Sequence, residues 1–387
     1  MPKTMSRAAI AAAVTAAALV AATHAPAGAA PGEVITTETR PSGWHGMAGG
    51  GSVVEYTTLD SAGVERPVSG ALFVPAGEAP AGGWPIIAYD HGTLGSGPSC
   101  GGQADPELAP LPVNREAEDA LMARLVDQGF AVVAPDYLGL GRFDTGPHPY
   151  LEVRSEATAT IDLVRAARAA NPDLSRTWSV IGASQGGHAA LSAAHVQAEY
   201  APELDFRGTV ALDPASDVEK VLPLLLGPGF PALDGTAGIT SFTLSILAGL
   251  RATHPEAEVD SYLSPLGKEL VDAVGSECID ETVRDVKGLA MGDLFVRPLS
   301  EGPLRPALTA YMTLPTSGYD APILLLLNAT DMVVPSPLHA ALVGQFAAGG
   351  VDFQTVTGFG QHTVMTQQMR DALDAFVARV HAAPPQR

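Results

Sequence analysis

Cationic residues are scarce in this sequence: 22 lysines and arginines stand against 42 aspartates and glutamates, for a formal charge of -20. Such a surplus repels phosphate backbones and anionic membrane surfaces, so no nucleic acid is expected as a partner; it also keeps an exported chain in solution. Long apolar runs are scarce too. The best of them, Ala8 to Ala22, is shorter than the ~20 residues a spanning helix needs, and Val221 to Leu226 is broken by Pro223. No stable membrane insertion is expected. There is no H-E-x-x-H, and no histidine or carboxylate accompanies His91 at metal-site spacing, so no metal is expected.

What the N-terminus has is Lys3 and Arg7, then the apolar run, then small residues at Ala27-Gly28-Ala29 or Gly28-Ala29-Ala30 before Pro31. That is the pattern of an export signal, so residues 1–30 are set aside as a signal peptide and the mature chain is expected to be secreted. The two cysteines, Cys100 and Cys278, then read as a disulfide, since the pair is even and neither sits where a thiolate would be activated.

From Gly51 onward strand-like and helical runs alternate, which predicts an α/β fold with a mainly parallel sheet flanked by helices. Strands are expected at Ser52 to Thr58, Ser69 to Val74, Pro85 to Asp90, Phe130 to Ala134, Trp178 to Gly182, Gly208 to Leu212, Ile323 to Leu327 and Asp352 to Val356. Helices are expected at Glu116 to Gln128, Glu152 to Ala170, Gln185 to Glu199, Leu338 to Ala348 and Val364 to Val380. Between Asp213 and Asp320 the rhythm fails, with short helical pieces and no strand pattern. The expected division is therefore a first core segment at 31–213, a helical cap or lid at 214–320, inserted before the penultimate core strand, and a second core segment at 321–387.

The chemistry centres on Ser184 in Gly182-Ala183-Ser184-Gln185-Gly186. A G-x-S-x-G match is weak alone, but this one lies where a strand meets a helix, the setting of a nucleophile elbow. Gly182, Gly186 and Gly187 supply the lack of bulk that so tight a turn requires. A serine hydroxyl needs a base, and His362, in the loop before the last helix, is the candidate. His339 is a rival within a predicted helix. Asp331, the first carboxylate after the strand Ile323 to Leu327, is the candidate acid that orients the imidazole, with Asp352 its competitor. Two backbone donors must receive the oxyanion: Gln185 after the nucleophile, and Thr93, or next Gly92, in the loop Asp90-His91-Gly92-Thr93. His188 and His195 share a helix face and read as structural.

Val133-Ala134-Pro135-Asp136-Tyr137-Leu138-Gly139-Leu140-Gly141, His148-Pro149-Tyr150-Leu151 and Ser184-Gln185-Gly186-Gly187-His188-Ala189-Ala190 together resemble the secretory lipase family, the lipase A-type branch of the α/β-hydrolase fold. The likeness runs from about Pro85 to His362. It implies an esterase or lipase acting on lipid or small acyl esters without cofactor, under a helical cap, with Ser184, Asp331, His362 and the Asp90 to Thr93 region in the family's roles. A serine peptidase would use the same triad and bind a substrate amine through carboxylates such as Glu256, Glu258 and Asp260. An acyltransferase would share the triad and exclude water, and a non-catalytic scaffold would not need the triad at all. The apolar stretch of the cap, including Leu222, Leu224, Leu225, Leu226, Phe230, Ile239, Phe242, Leu244, Ile246 and Leu247, is expected to pack mostly on itself, with a minority lining an acyl pocket.

Overall fold

The computed structural model describes residues 30–233 and 235–383. The segment read as an export signal lies outside them apart from Ala30. No helix among the described residues is long and apolar enough to cross a membrane.

In chain order the elements are β1 (Val34–Arg40), β2 (Gly51–Leu59), β3 (Glu65–Phe73), β4 (Trp84–Asp90), α1 (Pro112–Asp127), β5 (Ala131–Pro135), α2 (Val153–Ala170), β6 (Leu174–Ala183), α3 (Gln185–Tyr200) and β7 (Asp205–Leu212). Among the described residues five α-helices follow without a strand: α4 (Val218–Leu225), α5 (Ala237–Thr253), α6 (Pro265–Val274), α7 (Ile279–Asp285) and α8 (Leu304–Met312). The chain closes with β8 (Ile323–Asn328), α9 (Ser336–Gly349), β9 (Phe353–Gly358) and α10 (Gln367–Ala382). The nine strands form one sheet in the order β1-β2-β3-β5-β4-β6-β7-β8-β9. The first four in that order pair antiparallel, and every pairing from β5 onward is parallel. This is the α/β-hydrolase arrangement, with the helical insertion entering before the penultimate strand.

The central strands read as unbroken apolar runs because both faces are covered. On β4, Ile86 and Ala88 point to the face that Ala157, Ile161 and Val164 of α2 cover. Ile87 and Tyr89 point the other way, among Met122 and Leu125 of α1 and Phe376 of α10. The insertion has a core of its own, built on Leu244, Leu247, Leu250, Tyr262, Val271 and Leu308. Fully burying each such side chain contributes roughly 1.5–3 kcal/mol, so the insertion is held by packing where the sheet is held by ladders as well.

Several boundaries depart from the expected ones, β3 starting at Glu65 and β6 at Leu174 among them, and two departures have clear local reasons. Helix α1 begins at Pro112, four residues before Glu116, with proline in the first turn where its missing N–H costs nothing. Strand β1 was not foreseen, since Val34–Arg40 is an edge strand with no inward-facing apolar alternation.

Candidate active site

Four neighbouring strands end at one place. Ser184 follows β6, Asp213 follows β7, Asp331 follows β8, and His362 follows β9. Ser184 takes φ 57° and ψ -117°, a conformation that costs an ordinary L-residue energy and persists only where the surroundings enforce it. They do so here by closeness. A Cβ at Gly182 would collide with the carbonyl of Gly186, and one at Gly186 with the carbonyl of Asp90. The turn places the serine oxygen at the N-terminus of α3, where unpaired N–H groups favour negative charge.

His362 Nε2 lies 2.8 Å from Ser184 Oγ, and His362 Nδ1 lies 2.6 Å from Asp331 Oδ2. Asp331 is fully buried and His362 is partly open. Oδ1 of Asp331 accepts the amides of Val333 and Val334, at 2.7 and 3.1 Å. Burial alone would raise this carboxyl, but hydrogen bonds from His339 and His362, with the Val333 amide, outweigh it and hold the group well below the usual carboxylate range. Asp331 therefore stays ionised whenever His362 is neutral enough to accept a proton. Asp352, the competing acid, lies beyond the far end of the same pair of strands, where its carbonyl accepts the amide of Ile323.

Two residues at this site escaped the sequence reading. His339, seen there only as a rival base, sits in the first turn of α9 with Nε2 3.2 Å from Asp331 Oδ2, so it is a second donor to the acid. Asp213 accepts the amide of Asn328 at 2.6 Å, the side chain of Asn328 at 2.7 Å and the amide of Thr363 at 2.8 Å. It thus ties the end of β8 to the residue after His362. The signal for Asp213 was available, because it too is the first carboxylate after an apolar strand. Asp213, Asp331 and His339 are close enough to offer ligands to a metal. The three N–H groups on Asp213 and four on Asp331 already supply the positive partners that these carboxylates need.

On the other side of Ser184, the Gly92 amide points to the partly buried Glu118 carboxylate at 3.3 Å, and the Thr93 hydroxyl meets the Tyr150 hydroxyl at 2.8 Å. Burial raises the Glu118 pKa against the opposing pull of Arg115. Among the described residues no protein acceptor takes the amide of Thr93 or of Gln185, which leaves those two N–H groups available beside Ser184. His91 is fully buried, and burial lowers its pKa to about 4. It packs on the Tyr137 ring with centroids 4.5 Å apart.

Cys100 and Cys278 form a disulfide with Cα atoms 5.2 Å apart. Around it the backbone pairs as well: Ser96 N donates to Glu277 O, and Ile279 N to Leu94 O. The insertion is thereby fastened to the loop that carries Thr93.

A cavity of about 1010 Å³ opens from Ser184 and His362. Its walls are α1 (Val113, Leu121), the ends of the central strands (Ile181, Leu212) and α10 (Leu373). Of the apolar stretch singled out in the insertion, Phe242 reaches this cavity. Leu244, Ile246 and Leu247 are buried in the insertion's own core, and Leu224, Leu225 and Ile239 are exposed. Glu256, Glu258 and Asp260 lie on the outer surface, with Asp260 paired to Arg251 at 3.3 Å.

Fold, elbow and triad geometry define an α/β-hydrolase with a serine-centred site. The chain belongs to the secretory lipase family, which it matches over residues 109–373. Two curated relatives are each 24% identical to it. One, from Mycobacterium tuberculosis (strain CDC 1551 / Oshkosh), is described as a probable inactive lipase, MT1628, and matches over 77% of this chain and 66% of its own length. The other is Lipase A of Arthroderma benhamiae, matched over 61% of this chain and 49% of its own length. The match thus spans less than two thirds of either relative. Among solved structures, lipase A of Candida antarctica in its closed state superposes with a TM-score of 0.73 at 19% identity, covering 93% of this chain and 84% of that one. The rice cell wall degrading esterase LipA of Xanthomonas oryzae gives 0.66 at 21% identity, covering 91% and 96%. At these identities the likeness is one of fold.

Proposed function

We propose that this protein is an exported serine hydrolase that cleaves carboxylic acyl esters. One relative is described as inactive, so family membership alone does not carry the reading. What carries it is the unbroken chain Ser184–His362–Asp331, at 2.8 and 2.6 Å.

In this reading His362 Nε2 takes the Ser184 proton as Oγ attacks the ester carbonyl, and Asp331 stabilises the imidazolium that forms. The amides of Thr93 and Gln185 receive the tetrahedral oxyanion. His362 then returns the proton to the departing alcohol, leaving an acyl-serine. Water, deprotonated by the same imidazole, releases the acid and restores Ser184. Residues 214–320 act as a cap, and Phe242 closes one side of an acyl-binding cavity whose remaining walls are largely core. Burying acyl carbons there contributes roughly 0.8 kcal/mol per methylene, so the reading favours medium-chain over acetyl esters. Export rests on the pattern of residues 1–30.

The test is a fluorophosphonate probe followed by a panel of p-nitrophenyl esters and aminoacyl anilides. The expected result is labelling of Ser184, kcat/KM rising from acetate to a medium-chain optimum, and slow anilides. An anilide faster than every ester would replace the reading with a peptidase. N-terminal sequencing of the exported protein checks cleavage near Pro31.

A further inference from the structure

Beneath the nucleophile lies a group of fully buried polar side chains that the triad does not use. Glu156 projects from α2, Gln185 and His188 lie one turn apart on α3, and His148 comes from the loop before α2; none is more than 1% exposed. Their protons are fixed by their partners. His188 faces the Glu156 carboxylate through Nδ1 at 2.8 Å and the Met312 carbonyl through Nε2 at 2.9 Å. Both neighbours are acceptors, so both ring nitrogens donate and the ring is an imidazolium. Burial opposes that charge, but the hydrogen bond and attraction from Glu156 raise the His188 pKa in spite of it.

His148 is the opposite case. Nδ1 donates to the Leu138 carbonyl at 2.8 Å, and burial keeps the ring neutral down to about pH 3. Its Nε2 is therefore an acceptor, and Gln185 Nε2 donates to it at 2.7 Å. The same Gln185 nitrogen donates to Glu156 Oε1 at 2.8 Å. A flipped amide would set its oxygen against that carboxylate, so the orientation of Gln185 is determined.

The other arm starts from the same turn. Tyr150 N donates to His148 O at 2.8 Å, and Leu151, held at φ 62°, donates its amide to Glu156 Oε1 at 3.0 Å. From this turn the Tyr150 hydroxyl meets Thr93 Oγ1 at 2.8 Å, and the His148 amide donates to Ser96 O at 2.9 Å. One short segment thus grips the residues on both sides of Ser184 whose amides are free.

We propose that the His148–Leu151 turn, with Glu156 and the charged His188, is a clamp that fixes the Thr93 and Gln185 amides relative to each other, making His148, Tyr150, Glu156 and His188 positioning residues for oxyanion binding. The proposal rests on the hydrolase reading and on Thr93 and Gln185 as its oxyanion donors. Stability is a poor reason for such a network. A buried ion pair is often no better than well-packed apolar groups, whereas an oxyanion hole is sensitive to small displacements of its donors.

The test compares Tyr150→Phe, which keeps the ring packed beside Phe242, and Glu156→Gln with the parent enzyme. Kinetics on one p-nitrophenyl ester, inhibition by a trifluoromethyl ketone and thermal melting are measured for each. The ketone forms a tetrahedral oxyanion on serine, so it reports the hole itself. The clamp predicts a kcat loss of roughly ten- to a hundredfold with KM within twofold, and an equal loss of ketone affinity, since the donors act on the oxyanion and not on the ground state. If Glu156→Gln fails to fold, Tyr150→Phe decides alone. A folded Tyr150→Phe with kcat and ketone affinity within twofold of the parent overturns the clamp. Ser184→Ala, run alongside, separates the two ideas. If it abolishes fluorophosphonate labelling while Tyr150→Phe is neutral, the hydrolase stands and the clamp falls. If it keeps full activity, the hydrolase reading falls first.

Discussion

The triad and the insertion meet at one cavity but are built on different principles. Ser184, Asp331 and His362 follow β6, β8 and β9 in the parallel half of one sheet, and their positions follow from backbone geometry: an enforced φ at Ser184, and Asp213 tying β8 to Thr363. The insertion presents Phe242 and Ile279 from helices that pack around a separate core. The first arrangement fixes individual atoms. The second fixes a surface. Changes in the sheet should therefore act on the rate for every substrate, and changes in the insertion on the choice among substrates.

The strongest test of that contrast is Asp331→Asn. It keeps the shape but removes the charge that orients His362, and kcat should fall by about three to four orders of magnitude for short and long esters alike. A loss confined to long-chain esters would erase the distinction. Next is the fastening between the regions. Replacing Cys100 and Cys278 with serine releases a loop of 178 residues, for which the chain-entropy model gives about 5 kcal/mol as an upper figure. Equilibrium unfolding of the double variant should show a loss of about 2–5 kcal/mol. No change in midpoint would mean that packing alone holds the insertion in place.

Phe242→Ala comes third. It should lower kcat/KM for octanoate about tenfold relative to acetate, since a cavity wall is lost and the chemistry is untouched. Equal loss on both esters would place Phe242 with the sheet residues. The smallest effect concerns the sheet alone. Asp90, fully buried with Oδ2 unpaired, has its pKa pushed well above the ordinary value, chiefly by burial. A carboxyl whose pKa is raised on folding contributes most below its unfolded pKa, and stability declines as pH rises from there toward the folded value. Asp90→Asn removes that decline. Its Tm should exceed the parent's by about 1–3 °C at pH 8, with the gap closing toward pH 4. A gap independent of pH would show that Asp90 titrates alike in both states.

Legibility in the sequence follows the same division. Ser184, His362 and Asp331 could be found because each stands just past a recognisable strand, and the glycines of the elbow have no other reason to cluster. The contacts of Tyr150, Glu156 and His188 could not, since their partners lie 57, 29 and 32 residues away and no local pattern records a hydrogen bond across that distance. His188 was read as structural, yet nothing in its helix announces that it carries a charge. In the insertion, hydrophobicity identified a core but not its direction. Most of the stretch packs on itself, as expected, but which member would reach the cavity was not legible, because a buried leucine and a pocket-lining residue look alike in one dimension.

The bond between Cys100 and Cys278 also decides where force travels. With the Leu94–Ser96 and Glu277–Ile279 backbones paired beside it, the insertion is anchored to the strip of chain that carries Thr93. In the proposed hydrolase, a rigid swing of the whole insertion away from Ser184 would drag that strip along and pull the Thr93 amide out of line as the door opened. Any opening of the insertion that keeps Thr93 in place therefore bends within it, with the anchored edge as the stationary jamb.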